Sequence, residues 1–104
     1  MAFNQAPNQW LANISEDGTD LTIRIADVDE LTAAECDAAT GDMRAVMYRL
    51  MDDFYSYING LPTEDQPGQL SITRTRFEDG NSKIRSSFIL EIVTDSAGTT
   101  VTAE

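Results

Sequence analysis

Five acidic pairs recur along the chain: Glu16-Asp17, Asp29-Glu30, Asp52-Asp53, Glu64-Asp65 and Glu78-Asp79. Paired carboxylates can grip a divalent cation or divide general acid and base roles between them. The best-spaced set is Asp27-Val28-Asp29-Glu30, whose alternating oxygens suit Mg²⁺ or Ca²⁺ and would serve a carboxylate-dependent enzyme. It lacks the sixth-position Gly and the closing Glu of an EF-hand loop. Two of the other pairs fall in predicted turns, and Asp52 and Asp53 fall on the polar side of a predicted helix. Solvated, structural carboxylates are therefore expected, with no metal site.

Other chemistries fare no better. The chain has no His, which removes Ser–His and Cys–His nucleophiles and imidazole ligands. Its single Cys36 lies between Glu35 and Asp37, where neighbouring anions oppose the thiolate a nucleophile needs. One Cys also excludes an internal disulfide and a multi-cysteine metal site. Gly60, Gly68 and Gly80 are too far apart to form a phosphate loop. The expectation is a non-enzymatic chain with no catalytic residues and no cofactor.

The elements that position these residues belong to a small acidic chain. It has 104 residues, 18 Asp+Glu against 7 Lys+Arg, a net charge of −11 and 41% hydrophobic residues. That suits one domain, 1–104, with one modest core. The charge opposes direct binding of nucleic acid or an anionic membrane. Met1–Gln5 carry no basic n-region, and the apolar run around Phe88-Ile89-Leu90 is far shorter than a membrane span. A cytoplasmic location is expected. Residues 1–7 and 94–104 lack a periodic apolar face and are expected to be flexible. Residues 29–41 read as a connection, in which Thr32-Ala33-Ala34-Glu35 has capping-box spacing.

Asp17-Gly18 is a strong hairpin signal. A two-residue turn there puts Ile14 opposite Leu21, Ala12 opposite Ile23 and Trp10 opposite Ile25, with Leu11, Asn13 and Ser15 on the reverse face. Strands are expected near 9–16 and 19–27. A second hairpin turns near Glu78–Asn81. A two-residue loop would set Arg74 against Arg85 and Arg76 against Lys83, so the opposite parity is preferred, with a loop of three or five residues. Pairings such as Leu70 with Leu90 and Ile72 with Phe88 illustrate that parity. Between the hairpins, Met43, Val46, Met47, Leu50, Phe54, Tyr57, Ile58 and Leu61 make one apolar arc of a helix near Asp42–Asn59. Asn59-Gly60 suits a left-handed cap, and Pro62 prevents continuation. The fold class is α+β, in ββαββ order: an antiparallel sheet of two hairpins with one amphipathic helix packed on one face.

What remains points to surfaces. Beside the helix core arc runs Arg44, Tyr48, Met51 and Tyr55, residue types enriched at interface centres. On the reverse of the strands, Leu11, Phe77, Ile89 and Val93 have no evident cover. Residues 16–42 hold nine acids and one base, whereas residues 70–92 hold four bases (Arg74, Arg76, Lys83, Arg85) and three acids. That asymmetry suits head-to-tail packing of subunits or a basic partner. The expectation is a structural or protein-interaction domain that forms a homo-oligomer or joins a larger assembly, of a phage or prophage kind by general analogy only. The alternative is an acidic module that captures a basic partner or mimics nucleic acid.

Overall fold

The computed structural model describes residues 5–66 and 68–101. Its elements are a single helical turn α1 (Pro7–Trp10), strands β1 (Ser15–Glu16) and β2 (Leu21–Thr22), helix α2 (Met43–Gly60), and strands β3 (Leu70–Glu78) and β4 (Ile84–Ile92). Short 3-10 turns lie at Ile25–Asp27 and Thr63–Asp65. The class is α+β and the ββαββ order stands, with the hairpins forming two separate two-stranded antiparallel sheets. Gln5–Tyr57 make one compact unit, and the described residues from Ile58 onward make another. The flexibility expected of 1–7 and 94–104 falls partly on residues 1–4 and 102–104, which lie outside the described residues.

In the first unit the long strands near 9–16 and 19–27 do not form. Pro7, whose fixed φ suits a first helical position, starts α1 instead, and Ala6 N–H donates to Gln9 Oε1 at 2.6 Å. Leu11 N–H closes the turn on Pro7 O, and Ile14 N–H bonds Leu11 O. The β-turn is also wider than two residues. The Asp17 carboxylate accepts the amides of Thr19 and Asp20, and Glu16 accepts that of Gly18. Pairing is therefore Ser15 with Thr22 and Glu16 with Leu21, two residues away from the expected register with the faces kept. Beyond these pairs Asp27 takes both the amide and the side-chain amide of Asn13, at 2.8 and 3.0 Å, where a ladder would have continued. Short polar side chains have outcompeted the strand backbone.

This rearrangement overturns the expectation for Leu11. Placed outside any strand, it escapes the two-residue alternation and becomes fully buried, while Leu21 is left 67% exposed. Val28 is the unit's other buried residue.

Helix α2 begins where its sequence says it should. Asp42 accepts the Arg44 amide at 2.9 Å as an N-cap. The expected capping box at Thr32–Glu35 is present and reciprocal: Thr32 N–H donates to Glu35 Oε1 at 3.0 Å, and Glu35 N–H to Thr32 Oγ1 at 3.2 Å. It shapes a turn rather than a helix. Two helix expectations fail. Met43 and Met47 stand 81% and 52% exposed, although they continue the apolar arc. Gly60 closes the helix without a left-handed φ, and the Asn59 side-chain amide donates to Ile72 O at 3.3 Å.

Asp53 is not the solvent-facing carboxylate its helix position suggests. Its Oδ2 accepts Trp10 Nε1–H at 2.8 Å and its Oδ1 accepts Asp29 N–H at 3.1 Å, fastening α1 and the loop after Val28 to α2. Trp10 also packs edge-on to Phe54, centroids 4.7 Å apart, and Tyr57 Oη donates to Gln5 Oε1. Asp53→Ala is expected to lower stability by about 1.5 kcal/mol, because the half-buried Trp10 indole and the exposed Asp29 amide both lose their carboxylate acceptor. Trp10 is the chain's single Trp. Its fluorescence therefore reads the joint directly, and emission should shift to the red. Unchanged emission and midpoint would remove the bridge from the account.

In the second unit β3 and β4 pair over nine residues: Leu70 with Ile92, Ile72 with Leu90, Arg74 with Phe88, Arg76 with Ser86 and Glu78 with Ile84. The parity is the expected one and the loop is the five-residue Asp79–Lys83. This register sets no cation against another, and Arg76 Nε donates to Ser86 Oγ at 3.2 Å. Gly80, at φ +79, supplies a left-handed residue in the loop. Ile58 and Ile72 are the unit's buried residues.

Candidate functional site

Most carboxylates of the acidic segment 16–42 are engaged in building its own loops. Six of the nine acids in residues 16–42 accept hydrogen bonds from their own chain: Glu16, Asp17, Asp27, Glu35, Asp37 and Asp42. Backbone amides of Asp20 and Thr19 hold Asp17 below the ordinary aspartate range, and those of Thr40 and Ala39 do the same for Asp37. Asp42 is lowered chiefly by the Arg44 guanidinium, and Asp95 by the Thr99 amide. A lowered carboxyl stabilises the folded loop at neutral pH, and that contribution fades as pH falls through the lowered value.

The candidate metal set is not assembled. Asp27 is spent on Asn13, and Glu30 is exposed with φ +66. Among the described residues, no three His, Cys, Asp or Glu side chains gather as metal ligands. Cys36 is half-buried and contributes, with Met43 and Val46, to a depression of about 280 Å³ rimmed by Glu35, Asp37 and Asp42. No helix among the described residues is long and apolar enough to cross a membrane.

The predicted helix stripe splits into two environments. Arg44 is highly exposed, and its guanidinium clasps Asp42, with Nε 3.1 Å from Oδ1 and Nη2 2.9 Å from Oδ2. Tyr48, Met51 and Tyr55 are half-buried along the same stripe, and the Arg49 guanidinium lies 5.5 Å from the Tyr48 ring centre. Arg49 also lies 3.7 Å from Glu35.

The second hairpin carries the exposed apolar surface. Phe77, Ile84, Ile89, Leu90, Ile92 and Val93 are between 41% and 64% exposed. Phe77, Ile89 and Val93 are thus uncovered as the sequence suggested; Ile84, Leu90 and Ile92 lie on the face the parity had assigned inward. Its basic residues do not form one patch. Arg74 and Arg76 share the face of Ile72, whereas Arg85 lies on the reverse, opposite Phe77 and 3.5 Å from Asp79.

The ladder also fixes which backbone groups of the hairpin face outward. Val93 N–H bonds Gln69 O and Asp79 N–H bonds Lys83 O, at 3.0 and 2.8 Å. Pairs of odd-numbered residues are therefore the hydrogen-bonded ones, and the even-numbered residues turn their N–H and C=O away from the partner strand. On β3 one such carbonyl, that of Ile72, is taken by Asn59. On β4 the outward residues are Ile84, Ser86, Phe88, Leu90 and Ile92, and β4 has β3 as its single strand neighbour among the described residues. Sequence reasoning missed this edge because parity tells faces apart but not edges. Set against known proteins, the chain matches no family model, no curated protein and no solved structure.

Proposed function

We propose that this chain is a non-enzymatic structural domain that works by self-association, alone or as a subunit of a larger assembly. The supporting observation is the β3–β4 hairpin, which leaves Phe77, Ile84, Ile89, Leu90, Ile92 and Val93 largely in water. Apolar side chains exposed on both faces of one hairpin offer surface for a partner to cover. The same hairpin is where the charge relents: residues 70–92 sum to +1 in a chain of −11. The acidic excess lies chiefly in residues 16–42, nine acids against one base, where a second copy would meet its own sign. The acidic segment 16–42 is read as loop scaffold rather than as a decoy, because its carboxylates bind their own backbone.

Light scattering after size exclusion over a dilution series into the high micromolar range tests this reading. A mass above that of one chain, falling on dilution, is expected. A strict monomer throughout would overturn it. Tyr48→Glu and Tyr55→Glu in the same assay report whether the helix stripe contributes.

A further inference from the structure

We infer that the outer edge of β4 pairs with the same edge of a second copy, antiparallel and about a twofold axis through Phe88. The inference rests on the self-association reading and names its surface. Strand β4, Ile84-Arg85-Ser86-Ser87-Phe88-Ile89-Leu90-Glu91-Ile92, runs nine residues with a strand on one side. It contains no Pro and no Lys, the usual guards of an exposed edge.

Its sequence is complementary to itself when reversed. Pairing about Phe88 sets Ile84 against Ile92 of the second copy, Arg85 against Glu91, Ser86 against Leu90, and Ser87 against Ile89. Arg85 and Glu91 are the only charged residues of β4, three positions either side of the centre. A twofold axis there makes both into opposite-charge pairs. The backbone agrees independently. Ile84, Ser86, Phe88, Leu90 and Ile92 are the residues whose N–H and C=O face outward, and this register brings even residues opposite even residues. They form the hydrogen-bonded pairs, leaving Arg85 and Glu91 as a non-hydrogen-bonded pair, where the chains approach to about 4.5 Å. A register shifted by one residue would set outward groups against inward ones.

The other edge of the hairpin is less available, since the Asn59 side chain sits on Ile72 O. Arg85 already lies 3.5 Å from Asp79, and Glu91 accepts the Ser71 hydroxyl at 3.3 Å, but both β4 residues are exposed. The assembled sheet would run β3-β4-β4-β3 across the two copies, with Ile84 and Ile92 covering each other twice. It is an isologous contact, which closes at a dimer.

Sedimentation equilibrium of the full chain tests it with Arg85→Glu, Glu91→Arg, the double exchange and Leu90→Pro. Each single reversal opposes like charges twice per dimer and should weaken association about tenfold. The double exchange restores opposite charges and should return to within about threefold of wild type. Leu90→Pro deletes an outward amide that β3 does not use, so the hairpin survives by circular dichroism while the dimer is lost. If the wild type associates but the single variants and Leu90→Pro match it, or the double exchange fails to restore association, the β4 edge is wrong and self-association stands. A monomeric wild type would overturn both.

Discussion

Leu11→Ala is expected to cost about 3 kcal/mol, although Leu11 is the residue that strand alternation would place on an uncovered face. Its side chain is fully buried, the only one among the described residues with no exposed surface at all. Leucine truncation at such sites costs about 3–5 kcal/mol where the surroundings cannot collapse into the void. Collapse is restricted here because Leu11 is held at both backbone ends: its N–H on Pro7 O at 3.0 Å and its carbonyl under Ile14 N–H at 3.1 Å. Thermal melts should fall by roughly 15 °C for a domain of this size. Leu21→Ala, at a position the same alternation would bury, is the matched comparison; at 67% exposure it should stay within about 0.5 kcal/mol of wild type. Equal losses at the two positions would restore the two-strand reading of residues 9–27.

The contrast between the hairpins explains what the sequence made legible. In β3–β4 the parity follows from keeping Arg74 and Arg76 away from Arg85 and Lys83, a repulsion set by side chains the strand itself carries. Nothing local competes with the ladder, and nine pairs form. In residues 9–27 the same alternation is present, yet the Glu16, Asp17 and Asp27 carboxylates take backbone amides themselves. Two pairs survive. Helix α2 was legible in its limits because Asp42 and Pro62 act within one turn of themselves. Its covered length was not: Met43 and Met47 satisfy the period, but periodicity does not say how far along the helix a neighbour extends. Asp53 was hidden for the opposite reason, since its partners Trp10 and Asp29 are 43 and 24 residues distant.

The candidate surface follows the same division. Phe77, Ile89 and Val93 were visible as apolar residues on a polar face. The edge of β4 needed the observed pairing, because a strand's outward amides depend on register and not on composition. Once the register is known, the positions of Arg85 and Glu91 about Phe88 acquire meaning. The helix stripe, by contrast, was drawn from residue types alone, and its members divide between an exposed cation clasped by Asp42 and the half-buried Tyr48, Met51 and Tyr55.

Gly41→Ala is the second large effect, and it comes from backbone packed against backbone. A Cβ on Gly41 would sit 2.3 Å from Glu35 O, 2.6 Å from Asp37 O and 2.9 Å from Asp37 N. None of these atoms can rotate aside, so the loop must open. Opening strains the bonds from Gly41 N–H to Asp37 O and from Asp42 N–H to Glu35 O, both 3.0 Å, and loosens the Asp42 cap on α2. A cost of about 2–3 kcal/mol is expected, at the upper end for overpacking. The change should be local as well as energetic: the Gly41 and Asp42 amides exchange faster, and the half-buried Cys36 thiol in the same loop reacts faster with a disulfide reagent. Gly60→Ala gives the opposite sign, since nothing lies within 4 Å of its Cβ and it occupies a helical residue. There alanine should stabilise by about 0.5 kcal/mol, because glycine forfeits more chain entropy on folding. If both glycines tolerate alanine equally, close packing of the 35–42 loop is not what holds the start of α2 in place.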